Sequence, residues 1–263
     1  MAKRPLVGVI CCTRIPEDPA QAVAERYLRA IPFMGADAVL VPSMSDHFDV
    51  SSIVARLDGL MLTGSPSNIE PRRYRSREGG AGPFDPPRDE TAMRLIDAAA
   101  DQDRPVLGIC RGFQEIAVAY RATLRRDLGE PDRDQIHHTP AGLPMEEMFA
   151  LQHRVELSRG GILERAMGAP SIVVTSAHFQ GIAELSPELV VEATSTDGII
   201  ESVRPASGER VLAVQWHPEW RIAENADSRK LFAWFGMLLR GATLEEAADR
   251  AAREEATELT GGG

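Results

Sequence analysis

The sequence predicts an α/β fold with a mostly parallel sheet, and three observations carry that prediction. Short, continuously apolar runs alternate with segments of helical period, as expected when parallel strands are covered on both faces by crossover helices. Hydrophobic residues make up 43% of the 263, enough for a substantial core. No apolar run approaches the roughly 20 residues of a membrane helix, so these segments belong to a globular protein with no membrane partner.

Leu6 to Cys11 opens the chain as a buried strand. The basic start before it has the outline of a secretory leader, but the apolar run stops at Cys12, which is too short. Ala20 to Met34 carries apolar residues at Val23, Tyr27, Leu28 and Ile31, the spacing of an amphipathic helix. Ala38 to Val41 and Gly59 to Leu62 read as the next strands. Arg72 to Arg88 and Gly129 to Gln152 lack a period and read as long surface loops; Arg72, Arg73, Arg75 and Arg77 in the first form a group able to attract a carboxylate. A second amphipathic helix, Asp89 to Ala100, leads to the strand Val106 to Ile109. In the second half, Ile172 to Thr175, Leu189 to Glu192, Gly198 to Val203 and Val211 to Trp216 read as strands, the last three close enough together for a small antiparallel annex. Thr243-Leu244-Glu245-Glu246 is a capping box that opens a peripheral helix over about 243–259. Its stripe, Ala247, Ala248, Ala251, Ala252 and Ala256, suits packing on its own core or against a second copy of the chain, and the terminal Gly261-Gly262-Gly263 is expected to fray. With no linker in sight, one domain over 1–263 is expected.

Charge and cysteine content narrow the function. With 29 Lys plus Arg against 39 acidic residues the net charge is −10, which opposes attachment to nucleic-acid phosphates or anionic lipid. Three cysteines, Cys11, Cys12 and Cys110, are odd in number and too few for a disulfide scaffold, so a reducing, cytoplasmic setting is expected.

The sharpest chemical signal is Gly108-Ile109-Cys110-Arg111-Gly112 at the end of an apolar strand. It has the form of a nucleophile elbow with sulfur in place of hydroxyl, in which glycines two residues either side leave room for a sharp strand-to-helix turn. The following helix N-terminus favours a thiolate and offers N–H groups to an oxyanion. Such a nucleophile needs a base, and His217 ends the strand Val211 to Trp216 with Glu219 two residues on, on the same side of an extended segment. A zinc-deaminase reading of His217-Pro218-Glu219 fails for want of a following P-C-x-x-C. His137-His138 has no ligand spacing to match, so no metal is expected. Gly64-Ser65 follows the strand Gly59 to Leu62, where backbone N–H groups can face the elbow.

These motifs resemble, in this order, the class I glutamine amidotransferase superfamily of peptidase C26 type, and most of all its γ-glutamyl-γ-aminobutyrate hydrolase branch. The likeness runs through Glu25-Arg26-Tyr27-Leu28, Thr63 to Asn68, Gly108 to Gln114, Thr175 to Gly181, Asp197 to Glu201 and Val214 to Trp220. It implies a flavodoxin-like sheet and a cofactor-free hydrolase of a small γ-glutamyl substrate. Cys110 would be the nucleophile, His217 the base and Glu219 its partner, with the amides of Ser65 and Arg111 as oxyanion hole. Gly64, Gln114, Ser176, Ala177 and His178 would meet the substrate. A glutaminase subunit feeding ammonia to a synthase, a hydrolase of another γ-glutamyl amide and a non-catalytic binder are the alternatives, and homo-oligomerisation is left open. The chain departs from the family at Tyr120-Arg121-Ala122, where relatives carry Gly-Gly, which implies a longer helix or a reshaped turn.

Overall fold

A computed structural model describes residues 3–14, 18–76, 82–125, 137–138 and 142–261. Its strands are β1 (Leu6–Ile10), β2 (Cys12–Arg14), β3 (Ala20–Ala22), β4 (Asp37–Val41), β5 (Gly59–Leu62), β6 (Val106–Ile109), β7 (Thr123–Arg125), β8 (Gln152–Leu157), β9 (Ser171–Thr175), β10 (Gly181–Glu184), β11 (Leu189–Ser195), β12 (Ile200–Pro205) and β13 (Val211–Val214). The helices are α1 (Glu25–Ala30), α2 (Val50–Val54), α3 (Pro86–Asp101), α4 (Arg111–Ala119), α5 (Met145–Met148), α6 (Ile162–Met167), α7 (Ala226–Leu239) and α8 (Leu244–Gly261).

β4, β1, β5, β6 and β13 lie side by side in that order and run parallel, the 2-1-3-4-5 order of a flavodoxin-like sheet. β12, β11, β8 and β9 continue the same sheet antiparallel beyond β13, so the annex extends the main sheet. Alternate residues of the central strands feed two cores. Val7, Val9, Met61, Leu107, Ile109 and Leu212 face one with Phe232, Trp234 and Phe235 of α7. Leu60, Leu62, Val106 and Ala213 face the other with Leu95 of α3 and Phe113 and Ile116 of α4. Burial on both sides is why β5, β6 and β13 are apolar throughout.

Three expectations change. The helix over Ala20 to Met34 divides: β3 pairs with β2, only Glu25–Ala30 is α-helical, and Ile31–Met34 tightens into a 3-10 turn. Pro32 cannot continue the α ladder, and Gln21 is held in β3 by bonds to Thr13 and the Ser43 amide. The loop read over Arg72 to Arg88 contains a 3-10 turn at Pro71–Tyr74, and it ends where Asp85 caps α3, so Arg88 is a buried first-turn residue. Residues 77–81, Arg77 among them, lie outside the described residues. Of the loop read over Gly129 to Gln152, residues 129–136 and 139–141 also lie outside them, His137 is buried and Met145–Met148 is helical. The strand β8 that follows is absent from the strands expected above, although its residues alternate, with His153, Val155 and Leu157 buried.

The Gly-Gly departure does not lengthen the helix. α4 ends at Ala119 and Arg121 itself adopts the left-handed φ of 68° that a glycine would hold more cheaply.

The capping box forms as the sequence predicts. Thr243 Oγ1 accepts from the Glu246 amide at 3.2 Å, and Glu246 Oε2 accepts from the Thr243 amide at 3.1 Å. Leu244, Ala247 and Ala248 are buried in the α7 core, so α8 packs on its own chain, with Ala252 exposed; residues 262–263 lie outside the described residues. Thr243→Ala is expected to cost about 1 kcal/mol, read as a lower midpoint in urea with unchanged slope.

Candidate active site

The elbow is built by close approach. Cys110 sits between β6 and α4 with φ 53° and ψ −100°, a conformation costing about 1–3 kcal/mol for a residue with a side chain. Its glycine neighbours make that turn passable. A Cβ on Gly112 would stand 2.1 Å from the Leu62 carbonyl oxygen, and one on Gly108 would stand 2.7 Å from the Gly112 oxygen. The turn places Cys110 at the N-cap of α4, where the first N–H groups have no intrahelical partner.

His217 follows β13, the strand next to β6, and its backbone N–H donates to Thr175 at 3.0 Å. Nδ1 lies 2.8 Å from Glu219 Oε1, which leaves Nε2 for the Cys110 side chain beside it. Burial alone would lower the His217 pKa; Glu219 and the Cys110 sulfur together raise it to about 10. The imidazole therefore carries its proton at neutral pH. Burial works against the Glu219 charge as well, but His217 and Arg26 hold its carboxyl below the usual range. Arg26 Nε donates to the same Oε1 at 3.0 Å, and its guanidinium lies 5.1 Å from the Phe149 ring centroid. Phe149 in turn stands edge-on to His217 at 4.7 Å and stacks on Trp220 at 4.5 Å, roofing the imidazole with aromatic surface.

Beneath the elbow lies a buried network of two positive and two negative side chains. Arg88 Nε donates to Glu115 Oε1 at 2.9 Å, Arg111 is paired with both Glu115 and Asp89, and none of the four is more than 1% exposed. Arg88 also bonds the Thr63 carbonyl and Cys12 Sγ, while Arg111 Nε donates to the Ser67 carbonyl at 3.0 Å. Thus the side chain of Arg111 points down into the network and clamps the Thr63–Asn68 turn while its amide stays at the elbow. Gly64 and Ser65 are presented by that turn. A Cβ on Gly64 would meet Tyr27 Oη at 2.3 Å, His217 Cε1 at 3.2 Å and Cys110 Cβ at 3.4 Å, so Gly64 lies against the Cys110–His217 pair.

The remaining expected site residues divide. Gln114, one turn after Cys110, is buried, and its amide nitrogen donates to the Gln180 carbonyl and Gln215 Oε1, both at 3.2 Å. Ser176 and His178 are fully enclosed: Ser176 Oγ donates to the His137 carbonyl at 2.8 Å and His178 Nδ1 to that of Gln180 at 3.0 Å. Ala177 between them is half-buried. Of the loop arginines, Arg72 pairs with Glu70 at 2.7 Å and Arg73 with Glu90 at 2.9 Å, so these two are taken up by the protein's own carboxylates, Arg75 donates to the Arg121 carbonyl at 3.2 Å, and Arg77 lies outside the described residues. The other cysteines are structural. Cys11 follows β1 and its thiol is pushed up to about 11 by burial and by Cys12, while Cys12 opens β2.

Sequence reasoning missed Arg26, Phe149 and the Arg88–Glu115–Arg111–Asp89 network. Arg26 was visible within Glu25-Arg26-Tyr27-Leu28, but nothing local tied it to a residue 193 positions away. The network has a faint signal, since Arg88 and Asp89 open one helix and Arg111 and Glu115 stand one turn apart on the next. Removing Glu115 would leave two buried guanidiniums facing one carboxylate. Glu115→Ala is therefore expected to lower stability by about 3–5 kcal/mol in urea unfolding, against less than about 1 kcal/mol for Glu245→Ala on the exposed face of α8.

The peptidase C26 family model matches residues 5–219. The γ-glutamyl-γ-aminobutyrate hydrolase PuuD of Escherichia coli strain K12 is 38% identical over 88% of this chain and 92% of its own. A putative glutamine amidotransferase of Schizosaccharomyces pombe is 32% identical over 76% of each chain. In fold, a putative GMP synthase component from Thermoplasma acidophilum superposes with a TM-score of 0.63 over 91% of this chain and 96% of its own, at 20% identity. Among the described residues no helix is long and apolar enough to cross a membrane. The chain belongs to the peptidase C26 family of hydrolases.

Proposed function

We propose that this enzyme hydrolyses the γ-glutamyl amide of γ-glutamyl-γ-aminobutyrate, a step of putrescine breakdown, through a thioester on Cys110. The observation that supports it most is His217 standing between Glu219 and Cys110 at the ends of adjacent parallel strands. The likeness to PuuD supports the substrate. Sγ of Cys110 attacks the side-chain carbonyl carbon, and the oxygen takes the negative charge between the amides of Ser65 and Arg111. As the C–N bond breaks, imidazolium His217 gives its proton to the departing nitrogen and 4-aminobutyrate leaves. Water then attacks the thioester, His217 takes its proton, and glutamate and thiolate are released. Gly64 and Gln114 flank the reacting carbonyl. Ser176 and His178 act from beneath, through the His137 and Gln180 carbonyls.

A panel of γ-glutamyl amides read by glutamate release tests the substrate. Fastest turnover is expected on γ-glutamyl-γ-aminobutyrate, with little on free glutamine; the reverse order, as in a glutaminase that passes ammonia to a synthase, would overturn it. Gly64→Ala is expected to melt within about 2 kcal/mol of the parent while losing at least about tenfold in kcat/KM, because its methyl enters beside Cys110 and His217. The alkaline limb of kcat/KM should follow loss of the His217 proton, near pH 10. Glu219→Gln removes a charge that favours the imidazolium, so the limb should move to lower pH by more than about one unit.

A further inference from the structure

Behind the site, histidines from three separate segments converge on one carboxylate of a fourth. Glu201 of β12 is fully buried, and three imidazole nitrogens approach its Oε1: His137 Nδ1 and His153 Nε2 at 3.3 Å each, and His178 Nε2 at 3.4 Å. The proton positions of two of these rings follow from their other partners. His178 Nδ1 faces the Gln180 carbonyl, which only accepts, so Nδ1 carries the hydrogen. His137 Nε2 faces Asp197 Oδ2 at 2.9 Å and donates likewise. In the neutral rings the nitrogens turned toward Glu201 are then bare lone pairs. Lone pairs meeting a carboxylate oxygen in a dry interior repel, and something positive must stand among them.

Extra protons are one candidate and a metal ion is the other; the distances discriminate. Imidazolium-to-carboxylate hydrogen bonds close to about 2.7–2.9 Å. Here no imidazole nitrogen comes closer to Glu201 Oε1 than 3.3 Å, and both carboxylate oxygens, His137 Nδ1, both nitrogens of His153 and His178 Nε2 are buried without a hydrogen bond of ordinary geometry. Separations of 3.3–3.4 Å instead match the edge of a tetrahedron of ligands, about 3.4 Å when metal–ligand bonds are about 2.1 Å. His137, His153 and Glu201 each offer an atom within 4.8 Å of the others. The His137–Asp197 bond is the outer carboxylate that commonly orients a ligating imidazole.

We propose that His137, His153 and Glu201, with His178 on the fourth side, bind a divalent transition metal of the zinc class. Two or three imidazoles with one carboxylate suit zinc and disfavour magnesium or calcium. The ion takes no part in the thiol chemistry. It clips the segment at His137 to β8 and β12, and through His178 and the Gln180 carbonyl it steadies the carbonyl that holds Gln114. The expectation that no metal binds rested on local spacing, which cannot see ligands at 137, 153 and 201.

The test uses the full-length, tag-free chain purified without chelator. About one equivalent of zinc per chain is expected by elemental mass spectrometry. After chelator treatment, ZnCl2 should raise the melting temperature further with each tenfold increase in free zinc while MgCl2 does not, and Co2+ should give the visible bands of a tetrahedral site. His153→Ala and Glu201→Gln should lose both responses, and His47→Ala, an exposed histidine elsewhere, should keep them. If those variants fail to fold, the titrations of the unaltered chain decide. A chain that holds only trace metal, and whose melting ignores zinc, overturns the proposal and leaves a proton-filled histidine network. None of these readings depends on which amide the enzyme cleaves.

Discussion

The strained backbone of Cys110 is the constraint on which the rest of the site depends. A residue with a side chain at φ 53° holds that conformation only where its surroundings leave no alternative. Here β6 binds it from one side in the sheet, and Gly108 and Gly112 let β5, β6 and α4 close to van der Waals contact around it. The buried Arg88–Glu115–Arg111–Asp89 network then ties α3, α4 and the Thr63–Asn68 turn into one body. Its charges balance, which lets it exist in a dry interior. Its cost in desolvation is repaid as register: the turn is held so that Gly64 lies against Cys110 and His217.

The proton chemistry rests on a second chain of charges above the elbow. Arg26, Glu219 and His217 lead in turn toward Cys110, with Glu219 and His217 both buried and Phe149 and Trp220 closing over the imidazole. Arg26 acts on Glu219 and only through it on the imidazole. Excluding water strengthens each of these interactions, and so the histidine keeps its proton well above its ordinary range.

Much of this was legible in the sequence, for reasons that differ by element. β5 and β6 fall where their apolar runs place them, because central parallel strands are buried on both faces and announce themselves by composition. The elbow was legible because its glycines answer a steric need two residues either side of Cys110; His217 and Glu219 do meet as expected, but β13 ends at Val214 and residues 218–220 form a turn, so a turn and not an extended strand brings them together. The segment Ala20 to Met34 misled because its helical period was real only over Glu25–Ala30; pairing with β2 claimed the first part and Pro32 altered the last. Arg26, Arg88 and the cluster around Glu201 were invisible for one reason: their partners lie 193, 27 and up to 64 residues away, and no local pattern encodes such contacts.

In the proposed mechanism Cys110 carries the γ-glutamyl group between the two half-reactions. Acid quenching of the enzyme during steady turnover of γ-glutamyl-γ-aminobutyrate, followed by peptide mass mapping, measures this directly. A mass increase of one γ-glutamyl group is expected on the peptide holding Cys110, lost on treatment with hydroxylamine. Rapid glutamate release with no such adduct, and undiminished release by Cys110→Ala, would contradict it.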